Sequence, residues 1–290
     1  MAAKNHAIAL VLLSFCLILL FAGCTTVSKE PGQLVPGNAT SYVLIKPKAI
    51  TRDPNLSAQL GLNDGVFSNS ELAKYGIDIM KVDSILIFSG TNPGYRAAIM
   101  KGGFESASVL KYASNQSFGN YTMEEYEGSP LIRLKDRNVT FAAVAGNLVM
   151  GPEDVVREVI LTGTGKSPVF GTSFTNRALA KANGAAMPLA LAVSSEPHSL
   201  AAKAAALGIS QKDSGIETNM ALVFETTAEA EVRKKDMETV LDFLRASGNS
   251  DDASRAKKVS LSQEEETLVI TIDARDFQET SEILKMLSLG

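Results

Sequence analysis

The 290-residue chain is poor in cysteine and histidine, with two of each, and it has no run of Lys or Arg. Two cysteines are too few for the disulfide-dense scaffolds of small secreted domains. Three of these four side chains, His6, Cys16 and Cys24, lie within the first 24 residues, so the body beyond keeps only His198, too little for a zinc site of the His/Cys type. With 28 Lys plus Arg against 32 Asp plus Glu, the net charge is -4. The sequence therefore lacks the basic footprint that phosphate backbones require, and nucleic acid is not an expected partner. At 45% hydrophobic and 21% charged residues, the chain is too apolar for disorder and has an ordinary globular composition.

Catalytic patterns are equally scarce. No Gly-x-Ser-x-Gly nucleophile elbow occurs, and a Ser-His-Asp arrangement would depend on His198 near the start of an expected helix. Gly163-Thr164-Gly165-Lys166-Ser167 ends like a P-loop, but Ile160 stands where its first glycine belongs and Pro168 follows where a helix should start. Ser108-x-x-Lys111 and Ser254-x-x-Lys257 match a penicillin-recognising pattern whose companion motifs are missing. The acidic clusters Glu124-Glu125, Asp251-Asp252 and Glu264 to Glu266 fall at expected turns and strand edges, where charge discourages edge pairing. These features imply no enzyme, no cofactor and no metal.

What is present begins at the N-terminus. Lys4 precedes a stretch from Asn5 to Ser28 without charge, and Ala7 to Ala22 is apolar except for Ser14. This is a basic n-region followed by an apolar h-region. It ends in Leu20-Phe21-Ala22-Gly23-Cys24, which resembles the lipobox of prokaryotic lipoproteins, with Phe21 where Leu is usual. The resemblance implies removal of residues 1–23 as a signal peptide and lipidation of Cys24. An uncleaved transmembrane anchor is the competing reading, since the charge-free stretch is long enough to span a bilayer. Both readings put the body outside the cytoplasm, with the membrane as a partner. Residues 24–40, rich in Gly, Pro and polar side chains, are expected to form a flexible tether reaching at most about 50 Å.

The body divides into halves 41–165 and 166–290, with the Gly, Ser and Thr-rich stretch from Gly163 to Thr175 as the boundary. Expected strands include Tyr42 to Ile45, Ser84 to Phe88, Tyr95 to Met100, the meander from Tyr121 to Met150, Met187 to Val193, Met220 to Phe224 and Leu268 to Ile272. Helices are expected over Pro54 to Tyr75, as two short pieces, over Glu105 to Ala113, from Pro152, from Ser195 to Gly208, from Thr226 and from Asp276. Thr226-x-x-Glu229 reads as a capping box, and Met237, Val240, Leu241 and Leu244 share one face of the helix it opens. Strand runs interspersed with helices argue for an α+β fold of two halves, each a mainly antiparallel sheet with helices on one face.

Five N-glycosylation sequons, at Asn38, Asn55, Asn115, Asn120 and Asn138, all lie in the N-terminal half. With the lipobox, they suit an archaeal surface protein. From Ser41 to Ile160 the body resembles uncharacterised prokaryotic extracytoplasmic proteins that begin with a Tyr-Val-x-Ile strand, a resemblance that carries no active residues. The expected role is a membrane-anchored, non-enzymatic binding or envelope-assembly module with a protein, lipid or polysaccharide partner. The alternative is a solute-binding lipoprotein that closes its two halves on a small ligand about a hinge at 163–175.

Overall fold

Short apolar runs separated by turn residues pair with their sequence neighbours, and in this chain almost every strand does so. The computed structural model describes residues 28–52, 56–57, 76–116, 120–135, 138–182, 187–193, 201–212 and 215–288. The first half contains β1 (Ser41–Ile45), α1 (Pro47–Thr51), β2 (Val82–Ser89), β3 (Arg96–Gly102), α2 (Ser106–Gln116), β4 (Tyr121–Tyr126), β5 (Ser129–Leu134), β6 (Val139–Val144), β7 (Asn147–Gly151) and α3 (Glu153–Gly163). The second contains α4 (Ser173–Lys181), β8 (Leu189–Val193), β9 (Ala204–Lys212), β10 (Gly215–Val223), α5 (Thr227–Ala246), α6 (Ser250–Ala256), β11 (Val259–Glu264), β12 (Thr267–Ala274) and α7 (Phe277–Ser288).

The fold is α+β. All the ladders are antiparallel and join in one 12-stranded sheet of order β11-β12-β10-β9-β8-β1-β2-β3-β7-β6-β5-β4. The strands of the two halves stay on their own sides, and β1 pairs with β8 from Ser41↔Val193 to Ile45↔Leu189. The halves thus share a backbone ladder instead of forming separate sheets. They also share a chain path. Each runs through three neighbouring strands, one or two helices, a run of antiparallel strands (four in the first half, two in the second) whose last strand returns beside the third, and a closing helix. The returning strand is β7 against β3 in the first half and β12 against β10 in the second.

Two hairpins owe their tight turns to left-handed residues. Glu127-Gly128 between β4 and β5 has φ of 51° and 74°, and Ala145-Gly146 between β6 and β7 has 46° and 79°. Positive φ at both positions gives the two-residue turn whose twist matches that of the flanking strands.

Because side chains alternate along a strand, both faces of the sheet need cover. One face presents Leu86, Phe88, Ile99, Leu131 and Val149, which pack against Val155, Val156, Val159 and Ile160 of α3. The same face continues into Ala204, Ala206, Ala221 and Val223, covered by Ala178 and Ala182 of α4 and its end. The opposite face holds Ile85, Met100, Ile132, Phe141 and Leu148 beneath Val109 and Leu110 of α2. Farther along, Leu222, Leu268, Ile270 and Ile272 lie beneath α5 and α7. Helices therefore cover both faces, not one, since strands such as β2 are apolar on both sides.

Three expectations are corrected. The segment read as a free tether is packed from Ser28 onward: Pro31–Leu34 form a 3-10 turn, Leu34 and Val35 are fully buried, and Ala39 is 4% exposed. Burying side chains of that kind contributes about 1.5–3 kcal/mol each, enough to overcome the flexibility that Gly and Pro composition suggests. The expected hinge is likewise structured. Pro36 and Val169 form an isolated bridge, the buried Phe170 donates its N–H to Val35 O at 2.7 Å, and Thr172 caps α4. Finally, the Ala-rich stretch expected to be helical up to Gly208 is strand β9 from Ala204. Alanine's helix preference gives way because small side chains let α4 approach closely. A Cβ at position 208 would sit 2.6 Å from the carbonyl oxygen of Ala182. The helices expected over Pro54 to Tyr75 fall mainly outside the described residues, as does Ser195.

Candidate ligand-binding crevice

The capping boxes in the second half set up a group of helices on one face of the sheet. Thr226 Oγ1 accepts from the Glu229 N–H at 3.2 Å, and Glu229 Oε2 accepts in return from the Thr226 N–H at 3.2 Å. At α7, Asp276 Oδ1 accepts from the Glu279 N–H at 2.8 Å while Glu279 Oε2 accepts from the Arg275 N–H at 2.6 Å. Lys258 closes this corner with a 2.6 Å bond to Glu279 Oε1. The Asp276 carboxyl is held below its ordinary range, chiefly by the Glu279 N–H and then by Arg275. For Glu279, burial would raise the pKa, but the bonds from Lys258 and the Arg275 N–H outweigh it and the net shift is downward.

Between these helices and the sheet the packing is incomplete. Leu207, Met220 and Ile270 from the strands, Met237 from α5, and Ser281, Leu284, Lys285 and Leu287 from α7 enclose about 290 Å³. On the outer side of α7 a wider groove of about 750 Å³ is lined by Thr239, Val240, Phe243 and Leu244 of α5, Asp252 and Arg255 of α6, and Glu282, Lys285 and Met286 of α7. Lys285 lines both spaces. Phe243 is 74% exposed, an uncommon state for a large aromatic side chain. Arg255 spans the groove floor to Glu282 at 2.6 Å. The methionines add unbranched, polarizable walls that adapt to irregular apolar shapes. Such a surface can bind apolar chain through its walls, with Lys285 at the border of the two spaces.

Sequence reading places Met237, Val240, Leu241 and Leu244 on one inward face, and Ile283, Leu284 and Leu287 on another. The structure divides these faces. Leu241 and Ile283 are buried in the core, whereas Val240, Leu244 and Leu284 line open space. An apolar stripe signals burial in general, but which part of it lacks a covering partner depends on how α5 and α7 splay.

The other expected sites are spread out. Cys24 and Asn55 lie outside the described residues. Asn115 is exposed near the end of α2, Asn120 is half-buried just before β4, and Asn138 is exposed in the β5–β6 turn with φ 46°. Asn38 is exposed but engaged, its Nδ2 donating to Glu158 Oε1 at 2.6 Å while Tyr95 donates to Glu158 Oε2 at 2.7 Å. Burial, with the Glu158 bond and charge, drives the Tyr95 hydroxyl well above its ordinary pKa and keeps it a donor. Gly163 to Ser167 is the C-terminal end of α3 and its following turn, where Lys166 pairs with Glu127. Among the described residues no cluster of three or more His, Cys, Asp or Glu could hold a metal, and no helix is long and apolar enough to cross a membrane.

No protein-family model matches this chain, and no curated protein matches it. In fold, the chain is similar to TP0453. Crystal form III of that protein superposes with a TM-score of 0.54 at 9% identity, covering 89% of this chain and 98% of TP0453. Form IV gives 0.51 at 11% identity over 88% and 97% of the two chains, and form I gives 0.50 at 10% over 90% and 98%. The likeness to TP0453 thus spans nearly both chains and concerns their path. At such identity the roles of side chains are read from this sequence alone.

Proposed function

We propose that this protein is an exported lipoprotein, anchored to the cell membrane through Cys24, which acts without catalysis by binding an apolar or amphiphilic ligand in the crevice between α5, α7 and the sheet. The observation that carries the reading is the unfilled apolar space walled by Met220, Met237, Ile270 and Leu284, with Lys285 at its side. A core that has no ligand to accommodate is ordinarily packed without such gaps. The export signal and Cys24 motivate the compartment, and the absence of a catalytic motif in the sequence motivates a binding role. A clamshell receptor gains no comparable support, since β1 and β8 tie the halves by a five-residue ladder and the expected hinge is packed.

Native mass spectrometry of the protein extracted gently from its own membranes is the test. A mature mass starting at Cys24 with diacylglyceryl, plus non-covalent mass in the range of a lipid or other amphiphile, is the expected result. The variant Leu284→Trp, which fills the space, should lose the bound mass while keeping the covalent lipid. Retention of the same bound species by Leu284→Trp would sink the crevice assignment, and a chain lacking the covalent lipid would sink the anchor.

A further inference from the structure

Ser28, the first of the described residues, lies four residues from Cys24, the expected site of lipid attachment. The Lys29 N–H donates to Ala145 O at 3.2 Å, and Asn147 Nδ2 donates to Lys29 O at 2.9 Å. Lys29 Nζ donates to Gly163 O at 2.8 Å, and Ser28 packs against Gly146, whose added Cβ would meet Ser28 Oγ at 3.1 Å. Ser28 and Lys29 are thereby fixed at one end of the strands, beside the β6–β7 turn and the C-terminal end of α3. From Ser28 the chain runs along the α3 face of the sheet, past Leu34 and Val35, to enter β1 at the opposite end, where Thr40 bonds Ser89.

Four Cα steps separate Cys24 from Ser28, and even fully extended they span only about 14 Å. We infer, resting on the reading that Cys24 carries the lipid, that the body sits directly on the bilayer in one orientation. The sheet end bearing the β6–β7 turn, the β4–β5 turn and the Gly163 to Lys166 turn meets the phospholipid headgroups. A free tether of the length expected from residues 24–40 would have left the body to rotate. The packed segment removes that freedom. Among the basic side chains at this end, Lys101 pairs with Glu30, Lys166 with Glu127, and Lys29 bonds the Gly163 carbonyl. The contact is therefore imposed by chain length and not by charge, and added salt should leave it in place. The β2–β3 turn marks the far end, a strand length or about 20 Å farther from the membrane.

Lipidation makes the test simple, because the Cys24 sulfur is then blocked and Cys16 lies in the removed signal peptide. A fluorophore is placed on Thr164→Cys, an exposed position beside the anchor end, or on Thr91→Cys at the β2–β3 turn. The full lipidated chain is reconstituted in phosphatidylcholine vesicles containing a headgroup-labelled quenching lipid, and its intact mass is measured on the same sample. Quenching at Thr164→Cys is expected to be several-fold stronger than at Thr91→Cys, in low and high salt alike. Inserting a Gly-Ser spacer of about 12 residues after Val27, which extends the reach to about 50 Å, should abolish the difference. A lipidated mass with equal quenching at the two positions overturns the orientation and leaves the anchor standing. A mass without lipid overturns the anchor and the orientation together.

Discussion

Asp276 shows how much one side chain can fix. Its carboxylate accepts the Glu279 N–H at the start of α7, and Glu279 in turn is held by Lys258 and the Arg275 N–H. Both carboxyls lie below their ordinary pKa in the folded chain. A group whose pKa is depressed by folding contributes stability above its unfolded pKa and loses it as pH falls through the folded value. The start of α7 should therefore be intact at neutral pH and weaken below about pH 4, near the ordinary carboxylate range. Amide exchange followed from neutral to acid pH would show α7 losing protection before β12; uniform loss across the second half would count against it. Asp276→Ala should cost about 1 kcal/mol at neutral pH, the usual loss for an N-cap, and much less in acid. Gly208→Val belongs to the same scale. Its Cβ would meet the Ala182 carbonyl at 2.6 Å, a backbone atom that cannot swing aside, so thermal denaturation should show a clear fall in stability.

At the scale of elements, the segment from Ser28 to Ala39 behaves as a strap across α3 and the sheet. Leu34 is fully buried in the same cluster as Val156 and Ile160. Leu34→Ala should cost about 2–5 kcal/mol, as truncation of a buried Leu does. It should also open the strap locally, so that limited proteolysis cuts within residues 28–40 while β1 to β7 stay protected. A cut pattern identical to that of the parent chain would contradict the strap. The helices around the crevice make the complementary case. The capping boxes and periodic apolar faces of α5 and α7 are legible in the sequence because they depend on residues three or four apart. The crevice is not, because its walls bring together Leu207, Met220 and Ile270 of the sheet, Met237 of α5 and Leu284 of α7, residues far apart in the chain.

At the scale of the molecule, the β1–β8 ladder turns two similar chain paths into one sheet. Halves joined only by a linker unfold independently, whereas halves sharing a continuous ladder and a strap are expected to unfold together. Calorimetry of the protein should give one transition, with van't Hoff and calorimetric enthalpies in agreement. Two resolved transitions would show that the shared ladder does not couple the halves. The coupling also explains why a boundary at 165 reads plausibly from composition. Gly163 to Thr175 is rich in turn residues because it reverses the chain between α3 and α4, and its packing comes from Pro36 and Val35, remote in sequence.

The sequence by itself determined the class of fold, the hairpins of the first half and the capped helices, since each rests on local periodicity, on turn chemistry or on a short motif. Only the tertiary structure decided that the Ala-rich run at 204–208 is a strand, that the supposed tether is a packed strap, that helices cover both faces, and where the crevice opens. Those outcomes come from contacts between residues far apart in the chain. Such contacts override local preference wherever the burial they provide outweighs the propensity of the segment itself.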